Sequence, residues 1–161
     1  MASENKAARD VVETVESMLK EWGDGYERFG KQGTVDFVLK DHIVITASPG
    51  TGIVKVRTRL EVSPDLLTKK RGRLLEACNV INKVYFLKAT VDAEGVRFSY
   101  EIPAGGITNG LKYVVANVLH FYRTEIDREL FRLALETDDD LDRYFDEKME
   151  REVAELRKSR Q

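Results

Sequence analysis

From Ile53 to Val62 the chain alternates with a period of two. Val54, Val56, Thr58, Leu60 and Val62 fall on one side, and Lys55, Arg57, Arg59 and Glu61 on the other. A strand so patterned buries one face and leaves the other in water, as in an antiparallel sheet that is covered on a single side. Any fold for this chain must therefore supply apolar helices to one face of a sheet and leave a basic face uncovered.

The remaining segments offer those parts. Ala8, Val11, Val12, Val15, Met18, Leu19 and Trp22 recur at spacings of three and four, one face of a helix that Gly23 can stop. Val35, Phe37 and Leu39, then Ile43, Ile45 and Ala47 after Lys40 and Asp41, predict a tight hairpin. Ser48 to Gly52 is a loop of turn formers, not a phosphate cradle, since it lacks the Lys-Ser/Thr end and leads into a strand.

Ser63 and Pro64 read as N-cap and first position of a helix running to about Lys83, weakened by Gly72 by about 1 kcal/mol relative to alanine. Tyr85 to Val91 and Val96 to Ile102 alternate again about the Asp92 to Gly95 turn, a second hairpin with Arg97, Ser99 and Glu101 pointing out. A long helix from Thr108 through Leu133 and a last helix carrying Leu141, Tyr144, Phe145, Met149, Val153 and Leu156 complete the chain.

The expected fold class is thus α+β, a two-layer antiparallel sheet flanked by helices in the order α-βββ-α-ββ-α-α. Residues 1–136 should form a single domain and residues 137–161 a helical extension. By the size relation, a chain of 161 residues can bury roughly 70% of its unfolded surface, enough for a core without disulfides or metals.

Composition narrows the function classes. A formal charge of −2 argues against a surface devoted to nucleic acid. The lone Cys78 gives neither a disulfide framework nor a zinc ribbon. The charged N-terminal segment is unlike a signal peptide and no stretch is apolar enough to span a bilayer, so a cytoplasmic protein without membrane attachment is expected.

Catalytic patterns are equally lacking. His42 and His120 lie far apart in sequence, and Cys78 sits in an apolar helical stripe where thiols act as small hydrophobes. Asp138, Asp140 and Asp142 begin like a calcium loop, but Arg143 and Met149 stand where glycine and a carboxylate are needed. Thr137, Asp138 and Asp139 read better as a helix cap. No catalytic, cofactor or metal residue is expected, and the chain reads as a non-enzyme.

Two features point to partners. From Ile53 to Arg73 seven basic residues face two acidic ones, whereas from Asp138 to Gln161 nine acidic residues face six basic ones. The candidate protein-binding residues are therefore Lys55, Arg57 and Arg59 on the wet strand face and Leu141, Phe145, Met149 and Val153 on the last helix. The alternative is a small-ligand protein or enzyme using a pocket between sheet and long helix, where Tyr85, Tyr100, Tyr113, Tyr122 and His120 would gather.

The run Leu75-Glu76-Ala77-Cys78-Asn79-Val80-Ile81-Asn82, the strand around Phe86, the Ala93 to Gly95 turn and the long closing helix resemble the YbjN-type family of bacterial sensory-transduction regulators. That family is similar to the type III secretion chaperone-like fold. The resemblance spans residues 3–136 and does not extend to the last helix. It implies a homodimer that binds or regulates another protein, a chaperone-like or regulatory adaptor, and it carries no catalytic residues.

Overall fold

The computed structural model describes residues 2–85, 87–104, 108–134, 150, 153–154 and 157–158. Helix α1 (Ala2–Trp22) ends where expected. Gly23 takes φ +69°, its N–H bonds the Lys20 carbonyl, and the Asp24 N–H bonds that of Leu19. This left-handed glycine cap satisfies two carbonyls that would otherwise be orphaned at the helix end.

Six strands follow in two groups: β1 (Tyr26–Lys31), β2 (Thr34–Leu39), β3 (Val44–Ser48) and β4 (Ile53–Glu61), then β5 (Lys88–Val91) and β6 (Gly95–Pro103). They form one antiparallel sheet in the order β1-β2-β3-β4-β6-β5. The coarse α+β expectation holds, but the order of elements is α-ββββ-αα-ββ-αα. Periodicity does not predict strand β1, because its inward positions are Tyr26, Arg28 and Gly30, which show no apolar alternation. Tyr26 packs edge-on to Phe37 at 5.5 Å, and the Arg28 guanidinium lies 5.9 Å from the same ring. Glu16 of α1 holds both, accepting from Tyr26 Oη at 2.9 Å and Arg28 Nη1 at 2.8 Å.

The helices also divide more finely than periodicity suggested. Ser63 caps α2 (Pro64–Lys69) through a Leu66 N–H bond of 3.3 Å, as expected. The chain then breaks at Lys70 before α3 (Arg71–Val84). The run Lys69-Lys70-Arg71-Gly72-Arg73 crowds like charges beside the poorest helix former short of proline, and the break parts Lys69 from Arg73 and leaves Gly72 in the first turn of α3. Tyr85 closes α3 instead of opening a strand. The long closing helix is two, α4 (Thr108–Thr124) and α5 (Ile126–Ala134), meeting at Glu125. Thr124 Oγ1 donates to the His120 carbonyl at 2.7 Å, a back-bond that bends helices. The redirected α5 fully buries Phe131 and Leu130.

Helix α1 packs against β3, α4 against β4 and β6, and α3 against β5 and α5, and the strands bury Ile45, Val54, Val56, Phe98 and Ala89 on one shared face. One apolar core joins Val15 and Leu19 to Phe37, Ile45, Val54, Val56, Phe98 and Leu130. Tyr122 of α4 ties it to the sheet centre, donating to the Val56 carbonyl at 3.0 Å. Arg123 secures the end of α4, bonding Asp41 at 2.6 Å and Asp24 at 3.3 Å. Gly95 marks a close approach of two strands: a Cβ there would overlap the Leu60 carbonyl oxygen. No helix among the described residues is long and apolar enough to cross a membrane.

Candidate functional site on the uncovered sheet face

Because α1, α3 and α4 pack on the buried side of the strands, the alternate residues of each strand remain on a face that no described element covers. The registers arrange them in rows across the strands. Asp36, Thr46, Lys55 and Glu101 make one row; Val44, Arg57, Ser99 and Lys88 the next; Arg59, Arg97 and Thr90 the third. The rows enclose a groove of about 450 Å³ whose charged lining is Lys55, Arg57, Arg59, Lys88 and Arg97, with His42 at one end. Hydroxyls of Thr90 and Ser99 add neutral hydrogen-bonding groups.

Carboxylates hold Lys55, Arg57, Arg59 and Arg97 from the rim. Lys55 Nζ lies 2.7 Å from Glu101, whose carboxyl is held below its ordinary range by that lysine. Arg57 reaches Thr46 Oγ1 at 2.9 Å and Asp36 at 3.6 Å, while Thr46 itself donates to Asp36 at 2.6 Å. Arg59 bonds both Asp92 and Glu94, and Arg97 Nε lies 2.5 Å from Asp92. Asp92 is fixed in turn by accepting the N–H groups of Glu94 and Gly95, each at 2.9 Å. The Glu94 N–H is the chief cause of its lowered pKa, with Gly95 and Arg59 adding to it against partial desolvation.

An array of this kind lowers the rotamer freedom that an arriving anion would otherwise have to freeze, so an acidic ligand meets cations already aimed. His42 helps to shape it through its backbone. It adopts φ +62° as the third residue of the loop joining β2 to β3, with its N–H on the Leu39 carbonyl at 3.0 Å. A second groove of about 380 Å³ lies beside the first and mixes Lys31, Lys55 and Arg57 with Asp36 and Glu101.

Of the residues singled out from sequence, Lys55, Arg57 and Arg59 come together here. Leu141, Phe145 and Met149 lie outside the described residues, as do Asp138, Asp140 and Asp142 and the Thr137 to Asp139 cap. Val153 is helical and 43% exposed. The tyrosines and His120 expected under the long helix have separate surroundings. Tyr122 is buried, Tyr113 is 72% exposed, Tyr85 stacks on Phe121 at 5.0 Å, and His120 faces solvent. Cys78 is buried, and desolvation pushes its thiol up to about 11, which suits a core position and not a nucleophile. Among the described residues no group of three or more His, Cys, Asp or Glu side chains could hold a metal ion.

Sequence reasoning placed Arg97 on the outward side of its strand but did not bring it or Lys88 into the site. The missing signal was not in either segment, since only the β4-to-β6 register puts Arg97 opposite Arg59.

No protein-family model matches the chain, and no curated protein matches it. A solved structure of an uncharacterized protein from Methanothermobacter thermautotrophicus is similar in fold, with a TM-score of 0.51 and 17% identity. The match covers 75% of this chain and 97% of that one, and at this identity the likeness concerns the fold alone.

Proposed function

We propose that the protein is a non-enzymatic, homodimeric binding module, a chaperone-like or regulatory adaptor, that receives an acidic protein segment on its uncovered sheet face. One observation carries the reading: five cations from three strands line one groove, and the carboxylates that orient four of them stand at its rim. The site is wide and open and its cations are spread over three strands, which suits an extended partner better than a small molecule. The YbjN-type, type III secretion chaperone-like assignment belongs to the same proposal. So do a cytoplasmic setting and the part given to Val153 and the last helix.

Fluorescence anisotropy with a labelled Glu/Asp-rich peptide tests it. Saturable binding should weaken with added salt and fall about tenfold or more in Arg57→Glu, a charge reversal at the groove's centre. A single-stranded oligonucleotide of matched charge is the control. Binding of the oligonucleotide alone, or of neither probe, overturns the reading.

A further inference from the structure

The two edges of the sheet are finished differently. At β5 the Asn82 carboxamide of α3 takes both backbone groups of Ala89, accepting its N–H at 2.6 Å and donating to its carbonyl at 3.4 Å. At the other edge β1 is exposed from Glu27 to Lys31, and Phe29 is 46% exposed. Exposed edges of this length template pairing with another strand unless something blunts them.

The direction of the free groups follows from the ladder. The Leu39 N–H donates to the Ile43 carbonyl, on the β3 side, at 2.8 Å. Backbone groups alternate along a strand, so those of Val38 and Asp36 serve β1, while Arg28 and Gly30, opposite Phe37 and Val35, aim theirs away from the sheet. Among the described residues nothing bonds those outward groups.

We infer that β1 pairs antiparallel with β1 of a second copy about a two-fold axis through Phe29. In that register Arg28 and the partner's Gly30 exchange hydrogen bonds, Phe29 meets its own counterpart, and Glu27 stands opposite the partner's Lys31, twice by symmetry. Glu27 has no ion-pair partner among the described residues, and Lys31 has only Asp36, at 3.6 Å. The Phe29 and Glu27–Lys31 positions are then non-hydrogen-bonded pairs, where side chains come closest. Neighbouring registers are poorer: an axis through Arg28 opposes two guanidiniums, and one through Glu27 opposes two carboxylates. The self-complementary charge order of Glu27-Arg28-Phe29-Gly30-Lys31 selects a second copy as the occupant.

This site goes beyond the proposed anion groove and does not depend on it. Light scattering across a concentration series into the millimolar range should show a reversible dimer. Gly30→Pro removes only an outward N–H, at a position where an added Cβ meets nothing within 4 Å, so β1 stays paired to β2 while the dimer weakens about tenfold or more. Glu27→Lys should weaken it similarly, and adding Lys31→Glu should restore it. Under mild oxidation Phe29→Cys should cross-link rapidly through the axis and Glu27→Cys should not. A chain monomeric throughout overturns both this site and the homodimer. A dimer indifferent to Gly30→Pro, or not rescued by the charge swap, overturns the β1 site and leaves the homodimer standing.

Discussion

Asn82 grips Ala89 as a neighbouring strand would, with one amide accepting the N–H at 2.6 Å and donating to the C=O at 3.4 Å. A single side chain of α3 thus ends the sheet at β5 and fixes the helix layer to the strand layer. Helix α3 also packs on α5, so this contact orients the whole end of the domain that carries Lys88 and Arg97.

Asn82→Ala should cost about 1–3 kcal/mol, the range for leaving partly buried backbone groups without partners. Urea denaturation gives the stability and amide exchange the location, with Ala89 losing protection more than Phe98. Asn82→Asp keeps the shorter of the two bonds and should lose less. Equal losses in both variants would mean that the bond to the Ala89 N–H contributes little and that the amide donated to the Ala89 carbonyl carries the contact.

Gly95→Ala meets backbone, not a movable side chain. Its Cβ would overlap the Leu60 carbonyl oxygen, so β4 and β6 must separate where Glu61 pairs with Gly95. Roughly 2–3 kcal/mol of destabilisation is expected. Because Asp92 binds the Gly95 N–H, the same change should loosen Arg59 and Arg97 and weaken peptide binding as well.

How much of this was legible in advance can be seen from four places. The alternation around Arg57 announced a strand with one wet face, because side-chain direction has a period of two whatever the partners are. Strand β1 gave no such sign. At a sheet edge the stem of Arg28 and the hydrogen (in place of a side chain) of Gly30 suffice where a central strand needs valine or isoleucine. The site lay between these cases: Arg59 and Arg97 are 38 positions apart in sequence and become neighbours only through the β4-to-β6 register. Helix breaks at Lys70 and Glu125 were hidden for a different reason, since apolar periodicity continues across both while charge crowding and the Thr124 back-bond act locally.

His42 holds a left-handed conformation that β-branched residues scarcely adopt. His42→Val should destabilise by about 1–2 kcal/mol, whereas His42→Gly should be tolerated. The pair separates backbone from imidazole. If the ring contributes to the groove, His42→Gly weakens binding of the acidic peptide in a fold whose melting temperature has not fallen.

Acid should unlock the groove through Asp92. Its carboxyl is held below the ordinary carboxylate range in the folded protein, chiefly because the Glu94 N–H bonds it, with Gly95 and Arg59 in support. A carboxyl whose folded pKa is depressed contributes stability in full above its unfolded pKa, and that contribution fades as pH falls through the folded value. Thermal stability of the wild type should therefore decline below about pH 4 more steeply than that of Asp92→Asn, which has no carboxyl to protonate there. At neutral pH the order of stability should be wild type above variant, because asparagine can accept the same N–H bonds but offers Arg59 and Arg97 no charge. Parallel acid limbs for the two proteins would show that Asp92 is not what fastens the β5–β6 turn to the basic rows.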